Sequence, residues 1–122
     1  MTRFVQERFQ LTLAAIVVAN DAATEWEHRA SALRPGLTLP PRKRWPVSSG
    51  IVGRAIRTGE PQLVLDVAND PDFFGMDPKI TCEYAVPLRF QGRIVGAFNV
   101  ESDNREVMAE ENLALFREMR DG

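Results

Sequence analysis

The stretch CEYAVPLRFQGRIVGAFNVES, residues 82–102, limits the possible folds more than any other part of the chain. Two strand-like runs, 81–88 and 93–101, flank Gln91 and Gly92, a pair suited to a tight hairpin turn. The second run is almost continuously apolar over residues 94–98. A strand that is apolar on both sides is central in its sheet and covered above and below. The rest of the chain must therefore supply further strands and a layer on each face.

It does so in a readable order. Residues 9–13 alternate between apolar and polar and continue as an apolar, partly β-branched run through 18, which reads as a strand, with a helix from Phe4 onward as the competing assignment. Asn20 and Asp21 mark a turn. Residues 24–33 alternate again, with Trp26, His28, Ala30 and Ala32 on one face, so the two segments form a hairpin. Residues 34–46 read as loop, broken by Pro35, Gly36, Pro40 and Pro41. Ser48 or Ser49 caps a short helix over 50–58, with Val52, Ala55 and Ile56 as its apolar stripe and Gly59 at its end. Leu63, Leu65 and Val67 alternate as a strand, residues 68–80 form an excursion, and a helix covers 107–120 with Leu113 and Phe116 on its apolar side. The pattern is α+β, one domain over 1–122, with a central antiparallel sheet of about five to six strands and helices on both faces.

Composition narrows the function. The chain has 122 residues, of which 44% are hydrophobic, enough for a core at this length. Its net charge of −2 provides no field to attract nucleic acid or anionic lipid, so neither is expected as a partner. The longest apolar run, 13–19, is too short to cross a bilayer, and the first residues lack a signal peptide's layout, so a cytoplasmic location is expected. Cys82 is the only cysteine, which rules out an internal disulfide and argues against a cysteine-based zinc site.

Residues 49–66 (SGIVGRAIRTGEPQLVLD), then Asp70, Pro71, Asp72 and Phe73, then 82–102 follow one another in an order and spacing that resemble a GAF domain. The resemblance implies a PAS-related sheet with a ligand pocket on one face and a sensory or regulatory role in signal transduction. It also implies a long first helix beside the terminal one. Here only residues 1–8 precede the first expected strand, and Met108 and Ala109 stand where the family often has Phe and a Ser or Thr cap, leaving Asp103 or Asn104 to cap an earlier start.

Strand parity locates a candidate pocket. Glu83 and Ala85 share a face of the first hairpin strand, and Ala97, Asn99 and Glu101 share a face of the second. If these faces coincide, small alanines leave room beside polar Glu83, Asn99 and Glu101, the makeup of a small-molecule site. The competing reading leaves both glutamates in solvent near strand ends. Trp45, Phe73 and Phe74 are expected at the pocket mouth and Ile51 in its wall, with the pocket lying between the sheet and the 67–80 excursion.

Other motifs carry less. Gly50, Gly53 and Arg54 lack the G-K-[ST] of a phosphate loop. The glycine inside the helix, Gly53, marks a close backbone approach to a neighbouring strand. Asp70, Asp72 and Asp77 lack the spacing of a calcium loop and read as turn formers. His28 reads as structural, and the basic run Arg42, Lys43, Arg44 as a solvated loop whose Trp45 covers the mouth. No cofactor or metal is expected.

Free methionine-(R)-sulfoxide reductases are also GAF domains, and the resemblance places Glu83 and Glu101 at positions like their substrate-binding carboxylates. That chemistry requires attacking and resolving thiolates, and Cys82 has no partner. The expected function is therefore a non-enzymatic, small-molecule-binding domain. The alternatives are a relative of that reductase and a ligand-free dimerisation module. With the first helix short, Leu11 and Leu13 are expected to be partly exposed, giving a homodimer through Leu113, Phe116 and Met119 or through the bare sheet face.

Overall fold

A computed structural model describes residues 1–75 and 77–121. Six strands form one antiparallel sheet: β1 (Leu13–Ala19), β2 (Glu25–Leu33), β3 (Trp45–Pro46), β4 (Gln62–Val64), β5 (Cys82–Phe90) and β6 (Arg93–Ser102). Their order across the sheet is β3-β2-β1-β6-β5-β4. β6, the strand that reads as apolar on both sides, is central, paired with β1 and β5. Helix α2 (Gly50–Thr58) covers one face, while α1 (Thr2–Arg8) and α3 (Glu110–Asp121) cover the other.

Local chemistry explains the connections. Gln91 (φ 51°) and Gly92 (φ 80°) are both left-handed, the geometry of the hairpin turn between β5 and β6. Asn20 Oδ1 accepts the backbone N–H of Thr24 at 2.8 Å and of Glu25 at 3.0 Å, closing the β1–β2 turn. The α2 boundaries are those read from the sequence, and Gly59 ends the helix at φ 71°. The Asn104 side chain accepts from the Glu106 N–H and caps a 3-10 turn, Arg105–Met108, that precedes α3.

Two irregularities revise the strand parities. The β1–β2 register shifts so that Ile16 faces Ala30 while Val17 faces His28, leaving Arg29 as an extra residue. Trp26 and His28 therefore lie on the α2 face, and Ala30 and Ala32, opposite Ile16 and Ala14, lie on the other. The β5–β6 register shifts between Leu88 and Arg89, making Val95 the extra residue and turning Ile94 toward the α2 side.

The first helix and its loop are a second revision. Residues 9–12 are not strand; β1 starts at Leu13. The segment before it is α1, which buries Val5 and Gln6, and the Gln6 Nε2 donates to the Leu11 carbonyl at 2.9 Å. This short helix is enough to cover the sheet there, so Leu11 is fully buried rather than partly exposed, while Leu13, on the opposite face, is buried against the α2 side. Phe116 of α3 is also fully buried, with its ring 5.0 Å from that of Phe9. Leu113 and Phe116 thus face the core of their own chain and not an outside surface. Trp45 and Pro46, read as loop, pair with Trp26 and Glu25 as the edge strand β3.

Candidate functional site

The α2 face of the sheet carries a cavity of about 60 Å³. β5 and β6 build its floor: Glu83 pairs directly with Glu101, and Ala85 with Asn99. Side chains two apart on one strand share a face, so Glu83, Asn99 and Glu101 converge. All three are buried, at 3%, 1% and 6% exposure. The solvent-facing reading of the two glutamates is excluded. One wall is the start of α2, with Gly50, Ile51 and Val52.

The roof is aromatic. Trp45 stacks on Phe74 with ring centroids 4.5 Å apart, and Trp26 lies 6.0 Å from Trp45 and 6.4 Å from Phe74 at shallow interplanar angles. Gly50 allows this closure: a Cβ there would come within 2.7 Å of the Phe74 ring.

The polar groups of the floor are under-satisfied. Asn99 Nδ2 donates to Glu101 Oε2 at 2.9 Å. Asn99 Oδ1, Glu101 Oε1 and the Trp26 indole N–H have no partner among the described residues. Buried polar atoms are normally paired, so three orphans around one cavity are unusual. Burial away from water pushes the Glu101 carboxyl up to about 7. Glu83 is raised well above the ordinary carboxyl range, by burial first and by Glu101 second. His28, in the wall and edge-on to Trp26 at 5.5 Å, has its pKa lowered by burial.

Two arginines on α2 hold the roof segments in place. Arg54 makes a bidentate pair with Asp70 (2.8 and 2.9 Å), reaches Asp72 at 3.0 Å and donates its Nε to Gln62 at 2.9 Å. Arg57 donates to the Val47 carbonyl at 2.7 Å and to Asp72 at 3.0 Å. Val47 lies two residues after Trp45, and Asp72 two before Phe74. The two roof residues therefore hang from segments tied to one helix. Gly53 completes the contact, because a Cβ there would lie 2.4 Å from the Val47 carbonyl oxygen. The close approach expected at Gly53 is real, and its neighbour is the residue just after β3.

Of the residues expected in the pocket, the cavity is lined by Glu83, Asn99, Glu101, Trp45, Ile51 and Phe74. Ala85 and Ala97 share the floor's face but are covered by α2 in the core, outside the cavity, and Phe73 packs against that same core. Sequence reasoning missed Leu13, Trp26, His28, Pro40, Gly50, Val52 and Gly75, which also line it. The parity of β2 had already placed Trp26 and His28 on one face, a signal that could have found them. The roof draws on the loop before β3 as well as on the excursion that follows β4. Asp70 and Asp72 serve as partners of Arg54, and Asp70 also accepts the Asp72 N–H as a turn former. Cys82 lies on the opposite face, buried beside Phe116, with its thiol raised by burial.

A sequence profile of the GAF domain family matches residues 1–121. No curated protein matches the chain. Among solved structures, a type II free methionine-R-sulfoxide reductase from Thermoplasma acidophilum superposes with a TM-score of 0.84 at 17% identity, covering 98% of this chain and 81% of that one. The free methionine-R-sulfoxide reductase from Neisseria meningitidis, in complex with its substrate, gives 0.79 at 22% identity over 98% and 68%. The GAF domain of an Acinetobacter phosphoenolpyruvate-protein phosphotransferase gives 0.80 at 14% identity over 98% and 72%. Likeness at these identities establishes the fold.

Proposed function

Because this chain belongs to the GAF domain family, we propose that it is a sensory or regulatory domain whose cavity binds a small organic cation, such as a primary ammonium group. The observation that carries this reading is the buried Glu83–Asn99–Glu101 floor beneath an aromatic roof. Two carboxyls with raised pKa values, one with an oxygen lacking a partner among the described residues, favour an occupant that brings positive charge and N–H donors. Aromatic faces add attraction for a desolvated cation. The cavity is far smaller than the several hundred Å³ of typical ligand pockets, so the closed roof suits a small headgroup and not a nucleotide. Binding would favour the closed roof, in which Arg54 and Arg57 tie its segments to α2. That gives the ligand differential affinity for two conformations, which is what signalling requires.

The neighbouring reductases motivate an enzymatic alternative. Placement of the chain's one cysteine argues against it: Cys82 is buried on the far face of the sheet and its thiol is held protonated.

Thermal unfolding in the presence of n-pentylammonium tests the reading. A ligand at about a hundredfold excess over its Kd stabilises by roughly 2.7 kcal/mol. Glu83→Gln and Asn99→Leu should each fold and lose that stabilisation. Phe98→Ala, in the opposite core, should cost about 3–5 kcal/mol with or without ligand. An undiminished shift in both floor variants would remove the site.

A further inference from the structure

The cavity is acidic at its floor, and a basic run lies in the loop that supplies part of its roof. The loop that brings Pro40 and Trp45 to the cavity carries Arg42, Lys43 and Arg44 between them. Arg44 turns away, lining a separate surface hollow with Glu25 and Glu27. Arg42 stays with the roof: its guanidinium carbon lies 4.8 Å from the centroid of the Trp45 ring. Its Nε donates to the Arg44 carbonyl at 2.7 Å, which fixes the guanidinium against the ring. The ion pairs among the described residues do not include Arg42. The guanidinium is thus held against a ring of the roof, and its two terminal amino groups make no hydrogen bond among the described residues.

We propose that the occupant is dipolar, with its cationic group on the Glu83 and Glu101 floor and a carboxylate at the rim held by Arg42. This rests on the cation reading above and adds a second recognition point to it. The size of the cavity leads to the same place. About 60 Å³ takes the cationic end of a small molecule. A longer molecule would extend past the aromatic roof, and Arg42 is the charge stacked on that roof at Trp45. A guanidinium pairs with a carboxylate through two parallel N–H donors, so the rim selects for that group and for a chain long enough to reach it. The unpartnered Trp26 indole N–H is a buried donor in the intervening wall, available to an acceptor on such a chain.

A matched pair of probes tests the rim apart from the floor: n-pentylammonium and 5-aminopentanoate have the same chain and the same cation, and only the second has a carboxylate. Isothermal titration should show 5-aminopentanoate binding about tenfold more tightly, the scale of one charge-assisted contact. Arg42→Met keeps an apolar stem over Trp45 and should bring the two probes to equal affinity. Arg42→Lys should restore part of the difference, while Glu83→Gln should weaken both probes together. Equal affinities in the wild-type protein, or a preference unchanged in Arg42→Met, would overturn the rim while leaving the cation floor standing. Failure of both probes to bind at millimolar concentration would remove the floor reading and this proposal with it.

Discussion

Glu83 and Glu101 stand directly opposite one another on adjacent antiparallel strands, both buried, and Asn99 is the one side chain among the described residues that hydrogen-bonds the pair. Arg54 acts on Glu83 only at long range, because its donors are committed to Asp70, Asp72 and Gln62. His28, the titratable group of β2 in the same wall, is itself shifted toward its neutral form. The site therefore holds a proton more readily than free carboxyls would.

Stability should consequently fall as pH rises. Unfolded Glu101 ionises at its ordinary value of 4.5, whereas the folded group ionises at about 7. Between those values the native state keeps a proton that the unfolded state has released, so its stabilising contribution is complete below 4.5 and lost through about 7. Each unit of displacement is worth on the order of 1.4 kcal/mol. Glu83, also raised, extends the decline. Asp70 acts in the opposite sense: paired with Arg54, its pKa is lowered, and its contribution is lost in acid. Urea unfolding across pH should show a mildly acid optimum, and Glu101→Gln should flatten the neutral limb. A wild-type limb that rises from pH 5 to 8 would contradict the burial argument. Cation binding should release protons, so its measured heat should change with the ionisation enthalpy of the buffer.

Arg57→Ala should loosen the roof without unfolding the protein. It removes the contacts to Val47 and Asp72. The pair is partly exposed, 34% and 26%, so the stability cost should stay below about 1 kcal/mol. Both tryptophans of the chain, Trp26 and Trp45, belong to the cavity. Acrylamide quenching of their fluorescence should therefore rise in the variant, and unchanged quenching would mean that Arg57 does not set the roof.

Gly53→Ala sets helix propensity against packing. Alanine is favoured by about 1 kcal/mol within a helix. The new Cβ would meet the Val47 carbonyl at 2.4 Å, which is backbone and cannot rotate away. A net loss of roughly 1–3 kcal/mol is expected by denaturant titration, as for overpacking. A stabilised variant would show that the segment after β3 yields easily.

Phe116→Glu should unfold the chain itself, not merely dissociate a dimer. Its side chain is fully enclosed beside Phe9 and Phe98, and a carboxylate there has no partner. Far-UV circular dichroism and sedimentation should show loss of structure at every concentration. A folded variant with altered association would return this residue to an interface.

What the sequence disclosed follows from which interactions are local. The α2 boundaries, the Gln91–Gly92 turn and the Asn104 cap depend on a few adjacent residues, and all were readable. Convergence of Glu83, Asn99 and Glu101 followed from period-2 alternation on strands joined by a short turn. Parity failed where a register shift intervened, at Arg29, because an extra residue in a strand leaves no compositional mark. β3 was invisible because two residues carry no period. The burial of Leu11 was misjudged because it depends on how α1 and its glutamine seat against the sheet, a tertiary relation. The roof was half seen: aromatic residues were expected at the mouth, yet the arginines that hold their segments read only as part of a family motif.

Cys82 and Glu83 are neighbours on β5 that point to opposite faces of the sheet, one sealed under α3 and the other on the cavity floor. The only thiol of the chain can meet a reagent only when the helical layer above it lifts. Its modification rate is therefore a clock for that layer alone, while indole emission reports from the other side. The slowing of that clock when a cation settles on the floor would express, as a ratio of rates, how firmly a single strand transmits an event across its own thickness.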